Sequence, residues 1–488
     1  MSDLPLLGSV DCTSRYDAAF SRSSNDGPTL PLDDNDRPIV EKRLLRKLDL
    51  RVSFLVLVYI MNVMDRTNVA AARLRGFEED LGMTGNQFNT LTSILYVGYL
   101  LTQAPSNMIL HHMKKPSLYL SNCMIIWAAI TMCMISHCIR YHAALILRFW
   151  LGFVEAAFFP GAMFLLSRWY KRNELGLRTA LLYCGSSVSY AFGALIASGI
   201  LGSLDGILGF TAWRWLFFVE GALTIVVAVS AIWIIPDYPS TPSVWLLADE
   251  QILAKQRMEE EVATGIEHEG KPEEKSSGFA EAVMDWRVWW LGVALYLMNS
   301  SMSFTIFFPT ISATMGYNAT TSLLLCAPPW ILGTATSFIV ARHSDVTGDR
   351  FWNIAGPLLV GVAGFILAIS TMNTAVRYLS LFFMTQSPVA FIVSLTWVMN
   401  TFSESQSKRA AAIAIVNTMS SAGFISSSYF WPSSWGPSYV NSYLICTFAT
   451  VVSIAMLWVF KGHLSRCNEA AEAEEQVRGL PEGFRYLL

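Results

Sequence analysis

The chain has 488 residues, of which 53% are hydrophobic and 15% charged, and its apolar residues gather into runs too long for the core helices of a soluble domain. That makes it a polytopic membrane protein. With a formal net charge of −3 and basic residues scattered over short loops, it offers no nucleic-acid surface.

The opening MSDLPLLGSV has no basic region followed by an apolar core, so no cleavable signal peptide is expected. Residues 1–40 are rich in Ser, Asp, Asn and Pro, the composition of a disordered, solvated tail. From Glu41, EKRLLRKLDLRVSF alternates basic and apolar residues, as a juxtamembrane helix does when it snorkels Lys and Arg on the cytoplasmic side. Both termini are then expected in the cytoplasm.

Apolar runs follow at 51–71, 87–109, 116–138, 141–166, 178–201 and 213–235. Each is long enough to cross a hydrocarbon core of about 30 Å. Lys114, Lys115, Arg168, Lys171, Arg172 and Arg178 fall on the predicted inner side, in agreement with the positive-inside rule. Residues 236–286 break the pattern with Pro236, Pro239, Pro242 and a charged stretch, a hydrophilic cytoplasmic linker. Within it WLLADEQILAKQRM has a helical apolar stripe, and FAEAVMDWRVWW reads as a short interfacial helix. Six more runs occur near 288–315, 320–341, 351–372, 375–400, 410–431 and 439–461. The expected organisation is a six-helix bundle over 41–235, the linker, a second bundle over 287–461 and a cytoplasmic tail over 462–488, with a cavity between the bundles.

The run HAALILRFWLGFVEAAFFPGAMFLLS carries Arg148 and Glu155, each costing roughly 2.5 to 3.5 kcal/mol at a helix centre. Seven residues are two turns less about 20°, so the two share a face about 10 Å apart along the axis and cannot pair with each other. Asp65 and Arg66 in the first run are the expected partners. From their depth Asp65 is expected to meet Arg148. Adjacent helical residues point about 100° apart, which leaves Arg66 to take a substrate carboxylate with its planar fork. Glu155, near the midplane, is the expected proton carrier, with Asp65 as the second coupling acid. The alternative is a buried ion-pair network that only fixes helix register. Glu220 is read as structural, paired with Arg214.

In the second half, Tyr296, Asn299, Gln386, Trp397 and Asn400 are candidate ligand contacts or helix-packing residues. Asp345 and Arg350 are candidates for an inner gate, against the alternative of a plain Asp-x-x-Gly turn. The cysteines lack the close-set pairs of a metal site or disulfide framework. No cofactor or metal is expected. No His cluster, nucleophile motif or redox pair suggests an enzyme.

MDRTNVAAARL in the first run, QAPSNMIL in the second, LRFWLGFVEAAFFPGA in the fourth, WRWLFFVEG at the sixth and ARHSDVTGDR after the eighth occur in order. Together they resemble the major facilitator superfamily, and specifically its fungal anion:cation symporters, among them allantoate, nicotinate and pantothenate permeases. HHMKKPSLYL departs from that pattern, lacking the Asp and Gly-Arg pair of the inner-loop signature. The resemblance implies an all-α transporter of two six-helix bundles working by alternating access. It also implies that the acids matching Asp65 and Glu155 couple protons and the arginines matching Arg66 and Arg148 handle the anion. The expected function is proton-coupled import of a small organic anion by a monomer in the plasma membrane. The rivals are an exporter of a carboxylated metabolite and a nutrient sensor with vestigial transport.

Overall fold

A computed structural model describes residues 37–113, 115–135, 140–268, 278–402, 406–478 and 485–488, and all regular structure among them is helical. Among the described residues, ten helices or broken helix pairs are long and apolar enough to cross a membrane. The other two expected runs form the long helices α1 (Arg37–Ala72) and α2 (Gln87–His112). Most of the tail expected to be disordered lies outside the described residues, but α1 already begins at Arg37. The juxtamembrane helix and first span are thus one rod of 36 residues, about 54 Å long at about 1.5 Å per residue.

The first bundle continues with α3 (Pro116–Cys133), α4 (Tyr141–Glu155), α5 (Phe158–Trp169), α6 (Arg172–Ser203) and α7 (Ala212–Ile234). The span made by α4 and α5 breaks immediately after Glu155. Pro160 explains the break, because it has no N–H to donate and its ring crowds the carbonyl of Ala156, four residues earlier. The linker contributes α8 (Ala248–His268) and α9 (Gly278–Met284). The second bundle comprises α10 (Trp286–Ser301), α11 (Phe304–Ala313), α12 (Ala319–Leu324), α13 (Ala327–Thr347), α14 (Phe351–Ser370), α15 (Thr374–Met384), α16 (Pro388–Thr401), α17 (Gln406–Ser427) and α18 (Val440–Arg478).

The two bundles repeat one packing scheme. The first span packs on the fifth (α1 on α6) as the seventh does on the eleventh (α10 on α17). The third packs on the sixth (α3 on α7) as the ninth does on the twelfth (α14 on α18). In the first bundle α2 and α4 cross at backbone contact. A Cβ on Gly98 would overlap the carbonyl of Phe149, and one on Gly152 the carbonyl of Leu95. That crossing fixes the depth of Arg148 and Glu155, on either side of Gly152.

The linker docks on the first bundle. α8 buries Leu253 and Ala254 and ties itself down through Arg257 to Glu174 at 2.6 Å and Glu41 at 2.9 Å. Arg37 reaches Glu260 at 2.6 Å, and its hydrogen bond holds that carboxyl below the usual range. FAEAVMDWRVWW is not one interfacial helix. Asp285 divides it, accepting from the Arg287 backbone N–H at 3.0 Å as N-cap of α10.

At the linker end of the second bundle, residues 485–488 fold back beneath the helices. The Leu488 carbonyl accepts from the N–H groups of Arg350 and Phe351 at 2.5 and 3.3 Å, satisfying donors that a helix start leaves open. Trp397 Nε1 donates to the Leu487 carbonyl at 2.9 Å. Several hydrogen bonds between the bundles, among the described residues, lie in the opposite half: Ser93 to Ile425, Ser198 and Arg75 to Thr320, and Tyr429 to Thr90. At mid-depth the bundles meet through rings, Tyr96 on Phe424, Tyr183 on Phe391 and Tyr190 on Trp330.

Candidate functional site

A cavity of about 130 Å³ lies between the bundles. Among the described residues that line it, Arg66 is the charged one, surrounded by Tyr59, Tyr96, Tyr99, Tyr183 and Tyr190 from the first bundle. The second bundle adds Asn299, Thr305, Phe391, Asn417 and Phe424. Tyr59, Val63 and Arg66 recur at helical spacing on α1, and Tyr96 and Tyr99 do so on α2. The cavity wall is therefore an aromatic surface with one cation set in it. The Arg66 guanidinium lies over the Tyr99 ring, 4.5 Å from its centroid.

Arg66 is held from behind. Its Nε donates to Glu155 Oε2 at 2.7 Å and its Nη2 to Asn62 Oδ1 at 2.9 Å, one turn earlier on the same helix. Glu155 is fully buried, whereas Arg66 keeps 15% of its side chain exposed. Glu155 Oε1 has no hydrogen-bond partner among the described residues. The kink after Glu155 places that carboxylate at the end of α4, against the last two turns of α1.

Asp65 and Arg148 are not joined carboxylate to guanidinium. Rotated from Arg66 by the helical step, Asp65 faces α3 and α7, where its Oδ2 accepts from Trp127 Nε1 at 3.1 Å and Thr224 Oγ1 at 3.2 Å. Arg148 Nη1 instead donates to the carbonyls of Asp65 and Arg66, at 3.4 and 3.3 Å, and its Nη2 to Asn68 Oδ1 at 2.9 Å. Arg148 thereby pins the stretch of α1 that carries Arg66. It is 2% exposed and is not among the residues that line the cavity. Glu220 is not paired with Arg214, whose guanidinium lies 3.9 Å from the Asp80 carboxylate. Glu220 borders a second, smaller cavity of about 30 Å³.

Of the second-half candidates, Asn299 alone borders the central cavity, with its Nδ2 donating to Ser420. Tyr296 bonds Ser426 at 2.7 Å, and Gln386 donates to the Phe382 carbonyl at 2.8 Å, between α15 and α16. Trp397 points to the linker end and the folded-back Leu487, and Asn400 follows it one turn later. Asp345 does not dock on a helix N-terminus. Its Oδ1 accepts from Arg350 Nη1 at 2.8 Å, and the same nitrogen donates to Ser344 Oγ.

The arrangement matches known proteins over most of its length. Residues 55–428 fit the family model of the Major Facilitator Superfamily. The MFS-type transporter cnsO of Penicillium expansum is 33% identical over 436 residues, 84% of this chain and 81% of that one. A candidate tartrate transporter of Agrobacterium vitis is 32% identical over 393 residues, 79% of this chain and 86% of its own. The crystal structure of a bacterial homologue of the human lysosomal transporter Spinster, inward-facing and unoccupied, superposes with a TM-score of 0.60 at 16% identity, covering 85% of this chain and 95% of that one. That last likeness shows the fold.

Proposed function

The chain belongs to the Major Facilitator Superfamily, and we propose that within it this protein is a proton-coupled importer of a small organic anion. The observation that carries the reading is the Arg66–Glu155 ion pair, with the guanidinium at the cavity wall and the carboxylate buried behind it. A guanidinium suits a carboxylate ligand because its fork of donors matches two oxygens. Charge-assisted hydrogen bonds are worth about 1.5 to 3 kcal/mol, so Glu155 and a substrate carboxylate compete for Arg66 on comparable terms.

A proton on Glu155 removes its charge and frees Arg66 for the substrate. Loss of that proton returns Arg66 to Glu155 and releases the anion. The pair thus links substrate occupancy to protonation without direct contact between substrate and proton. Arg148 keeps the Arg66 backbone in place for both states, and Asp65 is the further coupling acid on α1.

Basic residues cluster at the linker end, which supports placing that end and both termini in the cytoplasm. With the bundles joined in the opposite half, the cavity then communicates with the cytoplasm, and alternating access requires those outer contacts to open. The reading is of a monomer in the plasma membrane, taking vitamin-like or allantoate-like carboxylates. The similarity to a candidate tartrate transporter favours an anion. The test is uptake of labelled nicotinate, pantothenate, allantoate, biotin and tartrate in a permease-deficient host, at outside pH 5 and 7. Uptake of one anion, faster with acid outside and abolished by a protonophore, supports the reading. Anion uptake indifferent to pH and protonophore contradicts proton coupling.

A further inference from the structure

Five ionisable side chains cluster in the middle of the first bundle: Asp65, Glu155 and Glu220 against Arg66 and Arg148. If all were ionised, three carboxylates would face two guanidiniums. A buried uncompensated charge costs several kcal/mol, and a group in that position takes up a proton instead.

Position indicates which acid can exchange it. Glu155 is ion-paired with Arg66, and Asp65 accepts from two donors, Trp127 and Thr224. One oxygen of each acid, Asp65 Oδ1, Glu155 Oε1 and Glu220 Oε2, has no partner among the described residues, but of the three only Glu220, 3% exposed and without a guanidinium partner, borders the smaller cavity. It borders the 30 Å³ cavity together with Asn68, whose Oδ1 is bonded to Arg148 and whose Nδ2 is also unpartnered among the described residues. About 10 to 15 Å³ of such space accommodates one water, so the cavity has room for about two. Thr67, Tyr190 and Thr305 line both this cavity and the central one.

We propose that Glu220 is a proton-binding site besides Glu155 and Asp65, exchanging its proton with the central cavity through the small polar cavity bounded by Thr67, Tyr190 and Thr305. In the exchange, the O–H bond of the Glu220 carboxyl breaks and its electron pair stays on the carboxylate. The proton passes to a cavity water and on to the central cavity as hydronium. Another acid of the cluster, Glu155 or Asp65, is then protonated in its turn, so that two carboxylates again face Arg66 and Arg148. The neighbouring elements bring few other ionisable groups: Asp65 on α1, Arg148 and Glu155 on α4, Tyr190 on α6, and Cys326 between α12 and α13. α3 brings no Asp, Glu, Lys, Arg or His. At the end of α1, Arg73 is committed to Glu78, Arg75 donates to Thr320 and Arg214 lies beside Asp80.

The experiment is infrared difference spectroscopy of the purified full chain in lipid, wild type against Glu220→Gln, in H2O and D2O across neutral pH. It needs no substrate, so failure of pH-driven uptake and failure of this site are separate results. The expected result is a protonated-carboxyl C=O band in the wild type that shifts in D2O and is lost in Glu220→Gln. An identical band in Glu220→Gln would place the proton elsewhere and overturn the proposal. A band lost in the variant but unmoved by D2O in the wild type would make the proton structural and overturn exchange. Should Glu220→Gln fail to fold, Glu220→Asp keeps the acid: a displaced band supports the assignment and an unmoved one overturns it.

Discussion

Arg66 Nε donates to Glu155 Oε2 at 2.7 Å, joining the cation at the cavity wall to a carboxylate that solvent does not reach. Arg148, seven residues before Glu155 on the same helix, holds the carbonyl of that same Arg66. The two arginines therefore do different work, one facing the ligand space and one fixing the helix that presents it.

Replacing Arg66 with Lys keeps the charge and loses the fork. We expect the half-saturation concentration for the carboxylate substrate to rise at least about tenfold, the equivalent of one lost charge-assisted hydrogen bond. Arg148→Lys should leave substrate affinity within about threefold while lowering the unfolding temperature, because three of its hydrogen bonds go to α1. Equilibrium binding and thermal unfolding of both variants check this. The opposite ranking in affinity would make Arg148 the anion ligand.

Asp345 is 55% exposed on its side chain, so its pair with Arg350 contributes at most about 1 kcal/mol to stability. Asp345→Asn should unfold within a few degrees of the wild type and bind substrate normally, yet transport more slowly if the pair serves closure at the linker end. Binding and initial uptake rates measured on one preparation decide it. An unchanged rate would leave Asp345 as a turn residue.

Trp397 spends its indole N–H on the Leu487 carbonyl, and its ring lies 5.5 Å from that of Phe460. Trp397→Phe keeps an aromatic ring and removes the donor. The expected cost is about 1 kcal/mol of stability, with substrate affinity unchanged. A tenfold change in affinity would restore the ligand role that its position in the sequence suggested.

Asp285 caps α10 and meets Arg287 at 2.8 Å and Lys408 at 3.0 Å. Burial works to raise its pKa, but the hydrogen bonds from Arg287 and Lys408 outweigh it and bring the carboxyl down to about 2. A carboxylate so lowered contributes stability above the ordinary carboxylate range, and that contribution is lost as pH falls through about 2. Asn caps a helix as well as Asp, so Asp285→Asn isolates the charge. The variant should be less stable at pH 7, with the gap to the wild type shrinking between pH 4 and pH 2. A gap independent of pH would mean the charge is not what matters.

The spans were legible because apolar runs of membrane length need no knowledge of partners, and the fourth run announced its charges directly. What the sequence left open was rotation. It shows that Asp65 and Arg66 point about 100° apart, but which of them faces α4 depends on how α1 sits against Trp127 and Thr224, a matter of packing. Hence the pairing came out as Arg66 with Glu155. The tyrosine lining was missed although a signal existed: Tyr59 and Val63 precede Arg66 at helical spacing, on its own face. Trp397 and Asn400 lie in the last turns of α16, toward the linker end, outside the lining of the central cavity. The chain returning at 485–488 to cover Trp397 has no local sequence signal.

Glu155 and the substrate compete for Arg66 in this mechanism, and Glu155→Gln tests that competition by fixing the neutral form. In reconstituted vesicles with equal pH on both sides, labelled substrate should still exchange by counterflow, since Arg66 remains available to bind it. With the outside acid, net accumulation should fall to the level of protein-free vesicles, because the variant has no proton to release at this site. A Glu155→Gln variant that still concentrates substrate under the pH gradient would contradict the account and move coupling to the other acids of the cluster.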